Sequence, residues 1–580
     1  MKELDIWPEL LPMLGTNVKS IVQSLVLGLA ASALTILAEF VYGLRTFFSQ
    51  GIWFRNLGLP IESIGILRSS NAASFLDLRL LFYAQGFLLN LSFWAAICFS
   101  AIYIWNTLRD KPTLSLVPLY ALGLASARIQ LELQMAVAAK GGFFSFARID
   151  PFSYAQVSAY FAMALLLFPT VLALVSKLPY LEVFKRSSLG LPIILMPPFL
   201  DYYVLKHPVI YNFFTSEYYQ QARGPLEYLT VLSPGIKLEI VLVVALTFAY
   251  LAYRTHSLMR SVVAIIAVIL AFSLVSTPTL TSRLNLAFQQ PQLFAGYLMI
   301  TYVLTILGFG LARPGMGSAI LSRIRIRGIH FPGMTLFGAF LVHPTILMAI
   351  VPEDYGLIIT AVFIVFLVWQ TATIFDDIYD SKEKAVPSGY WAYGALIALM
   401  ALLAAIPFGL LPWILTLIAV YLAVEYPRLR RTHYLLSGVT IGLSSSIAFL
   451  FGTLVPIANE TSSQPVALVA FTIFAIFSGG SLLKDIVNID EDRRLGISTI
   501  FTRFEKKQAV QIVSTFVALG FVIPAMFLRT WLDLALFIGA GIGAWLVIAV
   551  LKDRCYKPIL ILYFLEGVWV FFRLFVNTSG

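Results

Sequence analysis

Residues 357–375, LIITAVFIVFLVWQTATIF, run for nineteen positions without a charge. Crossing a bilayer takes roughly 20 apolar residues of helix, and every backbone polar group inside the hydrocarbon must be paired within the segment. A run this long and this apolar predicts a membrane-spanning helix. Barrel strands would be shorter and would alternate. Runs of this kind recur along the chain. Of its 580 residues 59% are hydrophobic and only 12% charged, whereas soluble domains carry about 25% charged residues. The mean hydropathy is +0.86. The expected fold class is an all-α polytopic membrane protein.

Before about residue 312 there are roughly eight apolar runs, near 21–43, 81–106, 113–127, 154–176, 188–205, 238–253, 259–278 and 293–312. RPGMGSAILSRIRIRGIHFPG, residues 313–333, then breaks the pattern with Gly, Pro and four arginines. The sequence therefore divides into residues 1–320, a multi-span domain in which no catalytic motif is read, and residues 321–580. Nine spans are expected in the second domain, near 334–350, 357–376, 391–406, 409–425, 435–455, 466–483, 509–527, 532–550 and 558–576. With residue 330 in the cytoplasm, Arg313 and seventeen lysines and arginines of this domain fall on the cytoplasmic side. Only Arg529 and Arg573 fall on the other. That is the bias expected of cytoplasmic loops.

The net charge of +10 is accounted for by those loops. There is no soluble basic domain, so no nucleic-acid partner is expected; the surroundings are membrane lipids. The two cysteines, Cys98 and Cys555, allow no disulfide framework or thiolate metal site. The five histidines are scattered. The opening MKELDIWPELLPMLG mixes acids with prolines and is not expected to be a cleavable signal peptide. Asp201, at the end of a first-domain run, has no partner in the sequence pattern and receives no role.

Two acidic clusters stand where runs should leave the membrane on the cytoplasmic side. DDIYD carries Asp376, Asp377 and Asp380, and KDIVNIDED carries Asp485, Asn488 and Asp492. Spacings of three, four and seven put such side chains on one face if each helix continues through them. Carboxylates are costly near hydrocarbon, at about 2.5–3.5 kcal/mol each on insertion scales, and crowded ones repel. A hard cation relieves both costs. Mg²⁺ takes one or two carboxylates and completes its shell with water and phosphate oxygens. Bases able to hold a phosphate stand nearby: Lys384, Lys484, and Arg428, Arg430 and Arg431 of YPRLRR. Solvated helix ends and simple ion pairs are the plainer alternative. Two acidic columns on one side, with basic loops between them, favour metal-bound diphosphate.

At these residues the second domain resembles the UbiA superfamily of intramembrane prenyltransferases, over about 325–580. Members have nine transmembrane helices and Asp-rich motifs after the second and sixth. Here DDIYD follows the second expected span and KDIVNIDED the sixth. The family's N-D-x-x-D, followed by R-P-x-x-S-G, is matched by Asp376, Asp377 and Asp380, then Lys384, Pro387, Ser388 and Gly389. Its K-D-x-x-D-x-x-x-D-x-x-x-G-x-x-T is matched by Lys484, Asp485, Asn488, Asp492, Gly496 and Thr499. Tyr426 and Arg430 fall on its Y-P-x-x-K-R. The departures are Asp376 for Asn, Asn488 for Asp, Lys384 for Arg and a shortened first loop. Asn488 offers a carbonyl oxygen but no charge.

The resemblance implies a nine-helix UbiA-like bundle preceded by a helical membrane domain of roughly eight spans. It also implies transfer of a polyprenyl group from its diphosphate to a lipid, quinone-precursor or other acceptor, the acceptor partner being an unknown lipid or aromatic compound. Mg²⁺ would be the cofactor, held by Asp376, Asp377, Asp380, Asp485, Asn488 and Asp492. Of these, Asp377, Asp380, Asp485 and Asp492 would be central to catalysis. Lys384, Lys484, Arg428, Arg430, Arg431 and Tyr426 would bind the donor. The alternatives are a transporter or lipid flippase, and a UbiA-like scaffold that has lost activity.

Overall fold

The computed structural model describes most of residues 151–201, together with 233–276, 290–344, 352–379, 390–457 and 465–578, short gaps aside. Among the described residues there is no strand. Eight helices among the described residues are long and apolar enough to cross a membrane, and the chain is an integral multi-pass membrane protein. It divides into two compact units between Leu321 and Ser322.

The first unit contains α1 (Pro151–Ser176), α2 (Tyr180–Ser188), α3 (Pro234–Thr255), α4 (Leu258–Ser276), α5 (Gln290–Ala312) and α6 (Met316–Leu321). α1 packs against α4 and α5, and α3 against α4. The runs expected near 21–43, 81–106 and 113–127, and most of 188–205, lie outside the described residues. Asp201 does have a role. It is buried, accepting a hydrogen bond from Ser233 Oγ at 2.5 Å and another from the Gly235 N–H at 2.7 Å. Ser233 in turn caps α3, its Oγ accepting from the Ile236 N–H at 3.2 Å. A Cβ on Gly235 would lie 2.6 Å from Asp201 Oδ2, so the carboxylate and the helix start require glycine there. The partners lie more than 30 residues away in sequence, beyond the reach of a local pattern.

The second unit contains α7 (His330–Val342), α8 (Pro352–Tyr379), α9 (Tyr390–Ala405), α10 (Leu410–Thr432), α11 (Leu436–Thr453) and α12 (Val466–Lys484). It continues through α13 (Ile489–Leu495), α14 (Ile500–Arg503), α15 (Lys506–Val522), α16 (Trp531–Leu551) and α17 (Tyr556–Thr578). Each run expected beyond residue 333 overlaps one of these helices, although α7 ends at Val342 and residues 345–350 of the first run lie outside the described residues. One expectation fails at the second acidic cluster. α12 stops at Lys484, a turn covers 485–487, and α13 is a separate short helix. The acids are therefore not one continuous helical column. Aspartates and asparagines compete with the helical ladder through their own side chains, and this segment is rich in them.

α11 holds the unit together because it is lined with small residues, which let helix backbones approach closely in a membrane. A Cβ on Gly452 would run into the Thr335 carbonyl of α7, and one on Gly442 into Ser478 of α12. Hydrogen bonds fix both contacts: Thr335 Oγ1 donates to the Ala448 carbonyl at 3.1 Å, and Ser446 Oγ to that of Ala470 at 2.7 Å. Between α9 and α10, Gly409 adopts φ +113° after a 3₁₀ turn. That backbone region costs glycine nothing and other residues a good deal.

The exceptional Arg573 is explained by its neighbours. Asp533, at the start of α16, is fully buried and accepts from Trp569 Nε1 at 2.9 Å. It also accepts from Arg573 Nε at 3.1 Å and Arg573 NH2 at 2.9 Å. Arg573 is thus a structural counter-ion for a buried carboxylate. Breaking such a pair from one side leaves an uncompensated charge, typically at a cost of about 3–5 kcal/mol. Arg573→Ala should lose about that much stability in detergent unfolding. Gly539→Ala, where a Cβ meets nothing within 4 Å, should be neutral or stabilising.

Candidate functional site

α8, α10 and α12 each bring charged residues to one end of the second unit. α10 ends in Arg430 and Arg431, cations being favourable at a helix C-terminus. Arg430 NH1 lies 3.8 Å from Asp376 Oδ1 in the last turn of α8, with only 21% and 15% of the two side chains exposed. The pair ties together residues 54 positions apart. Tyr426, one turn before Arg430, feels the charges of Arg430, Asp376 and Asp485. Both acid-bearing segments therefore converge on the end of α10.

The three arginines of YPRLRR do different things. Arg430 faces the acids. The Arg431 guanidinium lies 4.5 Å from the Tyr379 ring centroid, a cation–π contact. Arg428 is 64% exposed and lies 3.7 Å from Glu425 on its own helix; the structure does not bring it to the site.

Asp485 follows the last residue of α12, and its Oδ2 is buried with no hydrogen-bond partner among the described residues. Burial pushes its carboxyl from 3.8 up to about 7. The charge of Asp492 adds to the rise, while Lys484 and Arg430 oppose it. Asp492, on α13, is buried. Thr499, a position of the second motif, has a structural role: its Oγ1 accepts from the Thr502 N–H at 3.2 Å, and Thr502 Oγ1 accepts from the Thr499 N–H at 2.8 Å. This reciprocal capping box starts α14. Asp380, Lys384 and Asn488 lie outside the described residues.

A cavity of about 1410 Å³ opens from this end into the bundle. Small-molecule pockets usually measure about 300–1,000 Å³, so this one suits a long ligand. Asp376, Tyr426, Arg430 and Lys484 line one end, and further in the wall is mostly apolar, from α7, α8, α10, α11, α12 and α17. Asp377, Asp485 and Asp492 are not wall residues; Asp485 is coupled to the wall through Lys484 and Arg430. Three wall residues carry no mark in the sequence reading: Trp369, Phe477 and His330, whose ring stacks on Phe477 at 4.8 Å. They stand on α7, α8 and α12 at positions a local pattern does not separate from ordinary core, and only the assembled bundle singles them out.

Residues 381–560 match the UbiA prenyltransferase family. The matched segment takes in the second acidic cluster and begins just after the first. Over 157 residues the chain is 24% identical to digeranylgeranylglyceryl phosphate synthase of Sulfolobus acidocaldarius, an alignment covering 25% of this chain and 56% of that protein. The chain thus spans about half the length of this curated relative. A solved structure from work on digeranylgeranylglyceryl phosphate synthase in membranes aligns with 45% of this chain and 97% of its own. It has 17% identity and a TM-score of 0.37.

Among the described residues, no three of His, Cys, Asp and Glu stand close enough to hold a metal by themselves. The donor set nevertheless suits Mg²⁺. Each segment offers carboxylates without a closed cage, and the unpartnered Asp485 oxygen is available to a cation. Mg²⁺ binds through one or two carboxylates plus phosphate and water.

The raised Asp485 carboxyl has a measurable consequence. The folded state holds this proton more tightly than the unfolded chain does, so the stabilisation is complete below about pH 4. It is lost as pH rises through about 7. In EDTA, the unfolding midpoint should therefore fall between pH 4 and 7, and Asp485→Asn should flatten that slope.

Proposed function

We propose that the second unit is an intramembrane Mg²⁺-dependent prenyltransferase that moves a polyprenyl group from its diphosphate to an acceptor. The observation that carries this reading is the meeting of two acidic segments and Arg430 at the polar end of a long apolar cavity. An amphipathic donor with an anionic head and an isoprenoid tail has that shape and polarity. On this reading the acidic end faces the cytoplasm, the side favoured by the distribution of lysines and arginines.

Asp376, Asp377, Asp380, Asp485, Asn488 and Asp492 would hold the metal. Bound there with the diphosphate, Mg²⁺ supplies charge neutralisation for the leaving group. Arg430 and Lys484 bind and orient the phosphate oxygens from the wall, Arg430 with the geometry for bidentate contact. Lys384 has the same assignment in the loop after α8. The donor's C–O bond breaks with its electron pair leaving on diphosphate. The acceptor nucleophile then forms a bond to the carbon and releases a proton. The apolar wall keeps water from the allylic cation, and the faces of Trp369 and Phe477 favour positive charge beside them. The name of the Sulfolobus relative makes a geranylgeranyl donor and a glycerol phosphate lipid acceptor the first substrates to try. The first unit has no assigned part in this chemistry.

One observation favours a cation-coupled transporter instead. Glu566, in the middle of α17, is 6% exposed, and neither carboxylate oxygen has a hydrogen-bond partner among the described residues. Acids at mid-membrane depth are common on ion pathways. Glu566 is not on the cavity wall, so it offers no route through that space.

The test is equilibrium binding of geranylgeranyl thiolodiphosphate, a non-hydrolysable analogue, to the full chain in detergent. Saturable binding in Mg²⁺ should weaken at least tenfold in EDTA, in Asp377→Ala and in Asp485→Ala. Arg430→Lys should lose less than Arg430→Ala. Binding that ignores both the metal and the two aspartate substitutions would rule out this chemistry.

A further inference from the structure

Along α17 the cavity wall runs from Tyr556 to Phe571, and along α7 it ends at Phe337. These two terminal wall residues touch each other, with ring centroids 5.5 Å apart. Phe337 also packs on the fully buried Phe449, at 5.4 Å. Behind the pair lies a closed apolar cluster that includes Leu341, Leu528, Phe537 and Leu574, each less than 5% exposed. The cavity therefore has a floor, made by two rings backed by packed core.

The depth above that floor can be read from the helices. On α10 the wall extends from Arg430 back to Thr416, about 21 Å at 1.5 Å per residue. On α17 it extends about 22 Å by the same rise. An extended chain advances about 1.2 Å per backbone bond, so a four-bond isoprene unit takes about 5 Å. With the diphosphate at Arg430 and Lys484, about four units reach the floor.

We infer that the Phe337–Phe571 pair sets the prenyl chain length this protein accepts, stopping the tail at about four isoprene units. The inference rests on the donor reading above and adds the specificity of that site. The rival course for a longer tail is sideways past Phe564. That wall residue of α17 is 71% exposed and lies about two turns above the floor, where the cavity meets lipid. A tail leaving there would make chain length indifferent to the rings.

The experiment measures Kd in Mg²⁺ for thiolodiphosphates of two, three, four and eight isoprene units on the full chain. The wild type should bind the four-unit analogue at least tenfold more tightly than the eight-unit one. Phe571→Ala and Phe337→Ala should shrink that ratio at least fivefold by strengthening eight-unit binding. Gly567→Leu guards against variants that simply fail to fold. Gly567 lines the cavity one turn above Phe571, and a Cβ there meets nothing within 4 Å, so leucine raises the floor without displacing core. It should move the preference from four units to three at least fivefold, with two-unit binding unchanged. Equal wild-type affinity for four and eight units overturns the inference, as does a Gly567→Leu protein with an unaltered length profile. Absence of Mg²⁺-dependent binding at every length overturns the donor reading itself, a separate failure.

Discussion

Arg430 stands in the last turn of a helix of 23 residues with its guanidinium 3.8 Å from Asp376, at the mouth of an apolar space. A carboxylate in that position needs a counter-charge, because burial in a medium of low dielectric penalises the ionised form. Arg430 supplies it for α8 and also opposes the rise in the Asp485 carboxyl after α12. One cation thus moderates two acidic segments that would otherwise repel. Asp485 is not fully neutralised: its carboxyl sits near 7 and one oxygen lacks a hydrogen bond. That residual cost makes the mouth receptive to a further cation.

The cavity exists because of how closely the surrounding helices pack elsewhere. α11 approaches α7 and α12 nearly backbone to backbone at Gly452 and Gly442. Tyr563 fastens α17 to α15 by donating to the Val517 carbonyl at 3.0 Å while stacking on Phe521. The Asp533–Trp569–Arg573 network fastens α17 to α16 near its other end. With the helices held at these points, large side chains on the inner face define a space they do not fill. Its polarity follows from sequence: Asp376, Arg430 and Lys484, the acidic and basic residues of its wall, stand where α8, α10 and α12 end.

Much of this was legible in the sequence. Uninterrupted apolar runs place helices because the bilayer leaves the backbone no other way to satisfy itself. Two acidic clusters after the second and sixth runs already point to a shared end. The family resemblance marks Arg430 among the three arginines, but its pairing with Asp376, 54 residues away, was not legible, since charge alone does not separate it from Arg428 and Arg431. The break between Lys484 and Asp492 was missed because a spacing of three and seven looks helical whether or not the ladder continues. Asp201 and Arg573 looked anomalous because their partners, Ser233 and Asp533, lie more than 30 residues away. Long-range polar pairs form only once the fold brings their partners together.

On the proposed function, the two acidic segments jointly hold the head group of a ligand whose tail occupies the cavity. The decisive experiment is a cryo-electron-microscopy structure of the protein with Mg²⁺ and geranylgeranyl thiolodiphosphate. Diphosphate density should lie between the end of α8 and the Asp485–Asp492 segment, in contact with Arg430, with tail density running past Trp369 and Phe477. A ligand seated elsewhere, or a diphosphate held by only one of the two acidic segments, would contradict it.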